Sequence, residues 1–245
     1  MNWEWGVIVD YYPKLLQGAL LTLELVLFSG LVGLILAIPL ALMRVSKQPW
    51  IQAFPFAYIF FFRGTPLLIQ IFLVYYGSSQ FEFIRESALW PILREPYWCA
   101  IITFALHTAA YIAELLRGAI QSIPKGEIEA AKALGMSYPL MLRRIILPRA
   151  FGIMMPAYGN EVILMLKGSA LASTITLLDL TGMARTIIAR TYTPLEIFLA
   201  AGVIYLIISA LLILLFRFLE RHFNSHQHWP DEKPKDVDPQ HIDST

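Results

Sequence analysis

The sequence predicts an all-α integral membrane protein. It has five transmembrane helices, the N-terminus outside, the C-terminus inside, and a helix–turn–helix loop on the inner side between helices three and four. Three observations predict it. First, 57% of the 245 residues are hydrophobic and only 15% charged, where soluble domains carry about 25% charged residues; the mean hydropathy is +0.59. Second, the apolar residues fall in long blocks, five of which reach the roughly 20 residues a membrane helix needs. Third, Lys and Arg are concentrated in alternate connecting segments, as cytoplasmic loops require. This composition excludes a soluble enzyme and a disordered regulator. Nineteen basic and eighteen acidic residues leave no net charge that would favour nucleic acid. A single cysteine, Cys99, excludes an internal disulfide and a multi-cysteine zinc site.

Residues 1–14 form a short outer tail, with two acids and one base. A cleaved signal has a basic start and a core of about 7–15 residues, so the much longer apolar run that follows is a permanent span. The spans cover about 15–43, 54–76, 97–116, 156–178 and 196–216. The first holds Glu24 as its only charge, with Thr22 nearby; both suit a structural or outer-surface contact. Gly18, Gly30 and Gly33 suit close helix packing. With the N-terminus outside, the inner segments 44–53, 117–155 and 217–245 carry twelve Lys and Arg, and the outer segments five. The last stretch, 223–245, is polar, proline-bearing and too poor in aliphatic residues to order itself. His226, His228 and His241 are scattered through it and read as solvated, not as metal ligands.

The inner segment 117–155 is too long for a structureless loop. Pro124 suits a first helical turn, and 127–134 is rich in helix formers. Gly135 suits the left-handed residue that ends a helix. Ser137 and Pro139 restart the chain, and 140–147 forms a second helical run, stopped by Pro148.

The segment carries Glu129-Ala130-Ala131, then three residues, Gly135, nine residues and Ile145-x-Leu147-Pro148. In full spacing this resembles the EAA loop of permease subunits of bacterial ABC importers. Phe62-Arg63-Gly64-Thr65-Pro66-Leu67-Leu68-x-Gln70 resembles a second hallmark, that of the polar amino-acid branch, and Asn160-Glu161-Val162-Ile163-Leu164-Met165-Leu166 a third. Gly168-Ser169-Ala170-Leu171 departs from the commoner D-T-S-L and is closer to the M-type subunit of histidine/lysine/arginine/ornithine and opine permeases. The resemblance covers about 12–222. It implies that the outer side is the periplasm and that residues 15–222 are one permease domain in the bacterial inner membrane. It also implies that the loop docks into a cytoplasmic ATPase subunit. Glu129 would reach the ATPase, Ala130 and Ala131 would allow close backbone approach, Gly135 would make the turn, and Leu147 and Pro148 complete the motif. The implied partners are a related Q-type permease subunit, two ATPase copies and a periplasmic amino-acid-binding protein. ATP and Mg would be used by the ATPase, with no cofactor or metal held by this chain. The chain has no G-x-x-x-x-G-K-[ST] and no Gly-Lys pair, so it cannot cradle ATP phosphates by that route. Nor does it carry a Ser-His-Asp or Cys-His nucleophile context or H-E-x-x-H, so it is not read as an enzyme.

Charges kept inside a membrane cost at least about 2.5–3.5 kcal/mol and face a cavity or a partner. Arg63, Pro66, Leu67 and Gln70 share one face of the second span, with Thr65 beside them, and Pro66 loosens the helical ladder there, which suits a site wall. Thr103, His107, Tyr111 and Glu114 form a polar stripe on the third. Glu161 shares a face of the fourth with Gly168 and Ala172; Asn160, Lys167 and Thr174 lie on the neighbouring face. Two readings stand. The charges pair with one another, or they form a midplane site for a zwitterion, with Arg63 or Lys167 on a carboxylate and Glu161 or Glu114 on a cationic group. Rival functions are a standalone secondary transporter or channel, against which the absence of an inverted repeat counts, a membrane enzyme, and a membrane anchor.

Overall fold

Proline and glycine set most of the boundaries between helices in the computed structural model, which describes residues 4–224. The first helix, α1 (Gly6–Arg44), runs through Pro13 and Pro39 and starts well before Leu15, so most of the expected outer tail is helical. Pro49 in the first turn opens α2 (Pro49–Gly64), where its missing N–H costs nothing. The chain then breaks. Thr65 is extended at φ −114° and ψ 144°, because a residue before proline is pushed out of the helical region. Helix α3 (Leu67–Phe72) follows and widens into a π turn at Leu73–Gly77. The two halves meet at 105°. The shared face expected on span 54–76 is therefore corrected: Arg63 and Gln70 lie on different helices and share no helical face.

Short helices α4 (Glu82–Arg85) and α5 (Trp90–Leu93) occupy the expected loop 77–96. Helix α6 (Pro96–Gln121) is continuous and packs most extensively on α1. Then come α7 (Lys125–Ala133), α8 (Tyr138–Met141), a second π turn at Leu142–Ile146, and α9 (Leu147–Gly168). Here the expected stop at Pro148 is corrected. Proline lacks an N–H and crowds the carbonyl one turn back. The wide π turn lies immediately before it, so the helix runs on. A 3₁₀ turn, Ser169–Ile175, prolongs α9, and α10 (Leu180–Thr191) begins at Asp179. The Asp179 carboxylate caps it, accepting from Thr181 N and Gly182 N at 3.2 Å each. The expected loop after 178 is thus mostly helical. Last comes α11 (Pro194–Asn224). The expectations for the tail, His226, His228 and His241 included, lie outside the described residues.

Among the described residues, three helices are long and apolar enough to cross a membrane: α1, α6 and α11. The number rises to five if each bent pair is one span, α2 with α3 and its π turn, and the Tyr138–Ile175 run with α10 at 49°. Close packing depends on two small residues of α1. A Cβ on Gly33 would sit 3.0 Å from the Ala105 carbonyl oxygen of α6, and one on Gly18 would sit 2.9 Å from that of Asp179. A Cβ on Gly30 would meet nothing within 4 Å, so packing does not explain that residue. Thr22, fully buried, accepts from Leu180 N at 3.0 Å and so ties α1 to the start of α10. Glu24 accepts from the Tyr97 hydroxyl at 2.6 Å.

Candidate functional site

The EAA-like segment folds as a hairpin of α7 and α8. Gly135 has φ +74°, a conformation that costs an L-residue about 1–2 kcal/mol. Its N–H donates to Lys132 O at 2.9 Å, and Met136 N donates to Ala131 O at 3.1 Å. These are the two bonds of a Schellman ending, which satisfies carbonyls that a helix terminus leaves open. Ala131 is buried in a cluster with Ala113, Leu116 and Met141, and Met136 packs against the same cluster. Glu127 pairs with Arg149 at 3.2 Å, which fastens α7 to α9. The opposite side is open: Glu129 and Ala130 are exposed, Leu134 is 82% exposed and Tyr138 60%. Leu147 is half-buried and Pro148 exposed at the start of α9.

Gln70 closes the break between α2 and α3. Its side-chain N–H₂ donates to Phe62 O at 2.8 Å, Thr65 O at 3.0 Å and Thr65 Oγ1 at 2.8 Å. Phe62 O and Thr65 O are carbonyls released where the helix stops, and inside a membrane no water would meet them. With the amide nitrogen committed to three oxygens, Oε1 must accept. His107 Nδ1 lies 2.9 Å from it, so the neutral ring carries its proton on Nδ1 and leaves Nε2 as a bare acceptor. Thr65 and Gln70 thus serve the backbone, while His107 is oriented by them.

Two cavities flank Tyr111. One, of about 120 Å³, is lined by Leu67, His107, Tyr111, Glu161, Leu164 and Met165. Glu161 is 8% exposed and makes no ion pair among the described residues, so the expected pairing of intramembrane charges does not form there. The other, of about 390 Å³, is lined by Arg44, Phe56, Ile59, Phe60, Arg63, Gly64, Tyr111 and Glu114. Arg63 lies over the Tyr111 ring at 5.2 Å and Arg44 over Phe56 at 5.2 Å. Glu114 is taken by Arg117, one turn on, which also donates to Gln121 at 2.6 Å.

The structure therefore brings together Arg63, Thr65, Gln70, His107, Tyr111, Glu114 and Glu161. It does not bring Asn160 or Lys167 to either cavity; both lie on an exposed face of α9, as their rotation from Glu161 dictates. Thr103 is satisfied within α6, donating to Cys99 O at 2.7 Å. Sequence reasoning missed Arg44, Arg117 and Asp179. Arg44 reads as the charge that ends an apolar run, and nothing in the sequence aims it at Arg63. The Asp179 cap was legible, since an aspartate precedes an amphipathic run.

Known proteins similar to this chain are transport components. The chain is 51% identical over 224 residues to the octopine transport system permease protein of Rhizobium meliloti, covering 91% of this chain and 89% of the relative. It is 45% identical over 228 residues to the histidine/lysine/arginine/ornithine transport system permease protein of Escherichia coli K12, covering 90% and 96%. A crystal structure of an amino acid ABC transporter with histidines superposes with a TM-score of 0.79 at 32% identity, over 91% of this chain and 100% of that one. The family described as binding-protein-dependent transport system inner membrane component matches residues 30–225. With its apolar helices and its exposed α7–α8 hairpin, the chain belongs to that family of inner-membrane transport components.

Proposed function

We propose that this chain is a permease subunit of an ATP-driven importer for polar, chiefly basic, amino acids or the opines related to them. The carrying observation is the hairpin. An E-A-A…G…I-x-L-P segment is fastened to the helical bundle on one side by Ala131, Met136 and the Glu127–Arg149 pair. Its other side offers Glu129, Ala130, Leu134 and Tyr138 to a partner. The proposed topology is five spans, N-terminus in the periplasm and C-terminus in the cytoplasm, which puts the hairpin on the ATPase side; the twelve-to-five distribution of Lys and Arg supports it. The substrate class rests on the relatives and on Glu161, an unpaired carboxylate beside the bare acceptor nitrogen of His107. A pocket that offers acceptors calls for a donor-rich cation.

In operation, a loaded periplasmic binding protein docks on the outer segments around 77–96 and 179–195. ATP binding closes two cytoplasmic ATPase copies, which do the hydrolysis. The hairpin carries that motion into α9, and the cavities around Tyr111 change the side they face. A Q-type subunit completes the pore. The test is reconstitution in proteoliposomes of this chain with the permease and ATPase subunits encoded beside it. Uptake of cationic amino acids should need the ATPase, ATP and binding protein together. Uptake by this chain without the ATPase would establish a standalone carrier instead.

A further inference from the structure

The two cavities differ in a way that separates their roles. At about 120 Å³ the Glu161 cavity has the volume of about four waters of the liquid. That is room for a cationic head group. At about 390 Å³ the second cavity falls within the range of small-molecule sites, about 300–1,000 Å³. Its polar equipment is also different. Arg44 and Arg63 each lie over an aromatic ring, Phe56 and Tyr111. A guanidinium held over a ring without an ion-pair partner can present its N–H edge to a carboxylate, which that edge matches bidentately. Neither arginine forms an ion pair among the described residues, because Glu114, the carboxylate in the same cavity, is held by Arg117. Arg44 Nε and Glu114 Oε2 are both buried without a hydrogen-bond partner. Such unfinished polar sets mark a participant still to come.

We propose that Arg44 and Arg63 form a carboxylate-binding station, separate from the Glu161 cavity and divided from it by Tyr111. A passing amino acid would be held there by its α-carboxylate, with its carbon chain against Phe56 and Phe60. The proposal rests on the amino-acid reading above. Along α6, His107, Tyr111 and Glu114 follow one another at intervals of a turn, so the Glu161 cavity opens beside the first two and the arginine cavity beside the last two. In the proposed orientation the arginine station is the inner one. The solute's cationic end meets Glu161 first, and its anionic end is held nearer the exit.

The test uses the purified complex of this chain with its partner permease and ATPase subunits, free of nucleotide and of binding protein. Equilibrium binding is measured for radiolabelled L-arginine and for agmatine, its analogue without the carboxylate. Arg44→Gln should weaken L-arginine binding about tenfold to a hundredfold and leave agmatine binding unchanged. Glu161→Gln should weaken both. Should Arg44→Gln reduce the yield of complex, Arg44→Lys, which keeps the charge and loses the fork, should still weaken L-arginine relative to agmatine. Equal L-arginine binding by wild type and Arg44→Gln overturns the station, as does equal loss of both ligands. Loss of co-purifying anionic lipid from Arg44→Gln with L-arginine binding intact assigns the arginines to lipid phosphate and also overturns it. A wild-type complex that binds none of L-arginine, L-lysine, L-histidine, L-ornithine and octopine overturns the amino-acid reading and the station with it.

Discussion

Replacing Gln70 by leucine keeps the side-chain size and removes every hydrogen bond that closes the α2–α3 break. Phe62 O and Thr65 O then lose their donor, and Thr65 Oγ1 an additional one. A buried acceptor left without a partner costs about 1–3 kcal/mol, so two carbonyls give about 2–6 kcal/mol. Hydrogen bonds inside membranes average nearer 0.6 kcal/mol, because groups that lose one partner find another. These carbonyls sit where the helix has already ended, so no backbone N–H further along can replace the amide. His107→Phe removes only the bond to Gln70 Oε1 and should cost less. In a chain of this size 1 kcal/mol moves the melting temperature by about 2–4 °C, so Gln70→Leu should lower it by about 5–20 °C. The assay is thermal unfolding of the purified complex in detergent, followed by size-exclusion chromatography after heating. Gln70→Leu that melts with wild type, or above His107→Phe, would refute the assignment of Gln70 to the break.

Gly135→Val should uncouple transport from ATP hydrolysis at unchanged membrane expression, since a β-branched residue does not tolerate φ +74°. Gly135→Asn, which accepts that conformation, should retain most uptake, and full uptake by the valine variant would sink the turn assignment. Glu129→Lys should weaken retention of the ATPase in a pull-down without lowering the yield of the membrane subunits; undiminished retention counts against Glu129 as a docking residue. Glu161→Gln should lower the apparent affinity for cationic amino acids about tenfold to a hundredfold, since hydrogen bonds to charged groups are worth about 1.5–3 kcal/mol, with complex yield preserved. Poor yield for both Glu161→Gln and Arg63→Gln, restored in the double variant, would instead show a structural ion pair.

The hairpin was legible because its determinants are local. Pro124, the helix formers of 127–134 and Gly135 act within a few residues of themselves, and the structure returns the turn with its left-handed glycine. The stop expected at Pro148 failed for a reason of the same scale: a π turn is one inserted residue, and no residue type announces it. The break at Thr65–Pro66 was half legible. Thr65-Pro66 predicts a departure from helix, yet an unbroken apolar run of span length outweighed it. What Gln70 does follows from a side chain reaching back across the bend, and no helical-face arithmetic contains that bend. The meeting of Arg44 and Arg63 was illegible altogether, since it depends on how α1 and α2 pack against α6. Lys167 shows the reverse case, a charge whose apolar setting suggested a site and which the helix turns outward.

The attachment of the hairpin to α9 has a mechanical corollary. Glu127 grips Arg149 near the first turn of α9, and Glu161 stands in the same helix. At 1.5 Å per residue, the stretch from Leu147 to Glu161 is a lever arm of about 21 Å. A tilt of about 10° at the hairpin end swings the Glu161 position by roughly 4 Å over such an arm. That stroke is comparable to the width of a cavity of about 120 Å³. On the proposed function, a displacement at the hairpin too small to remodel any helix would therefore be large enough to squeeze a cationic group out of the pocket.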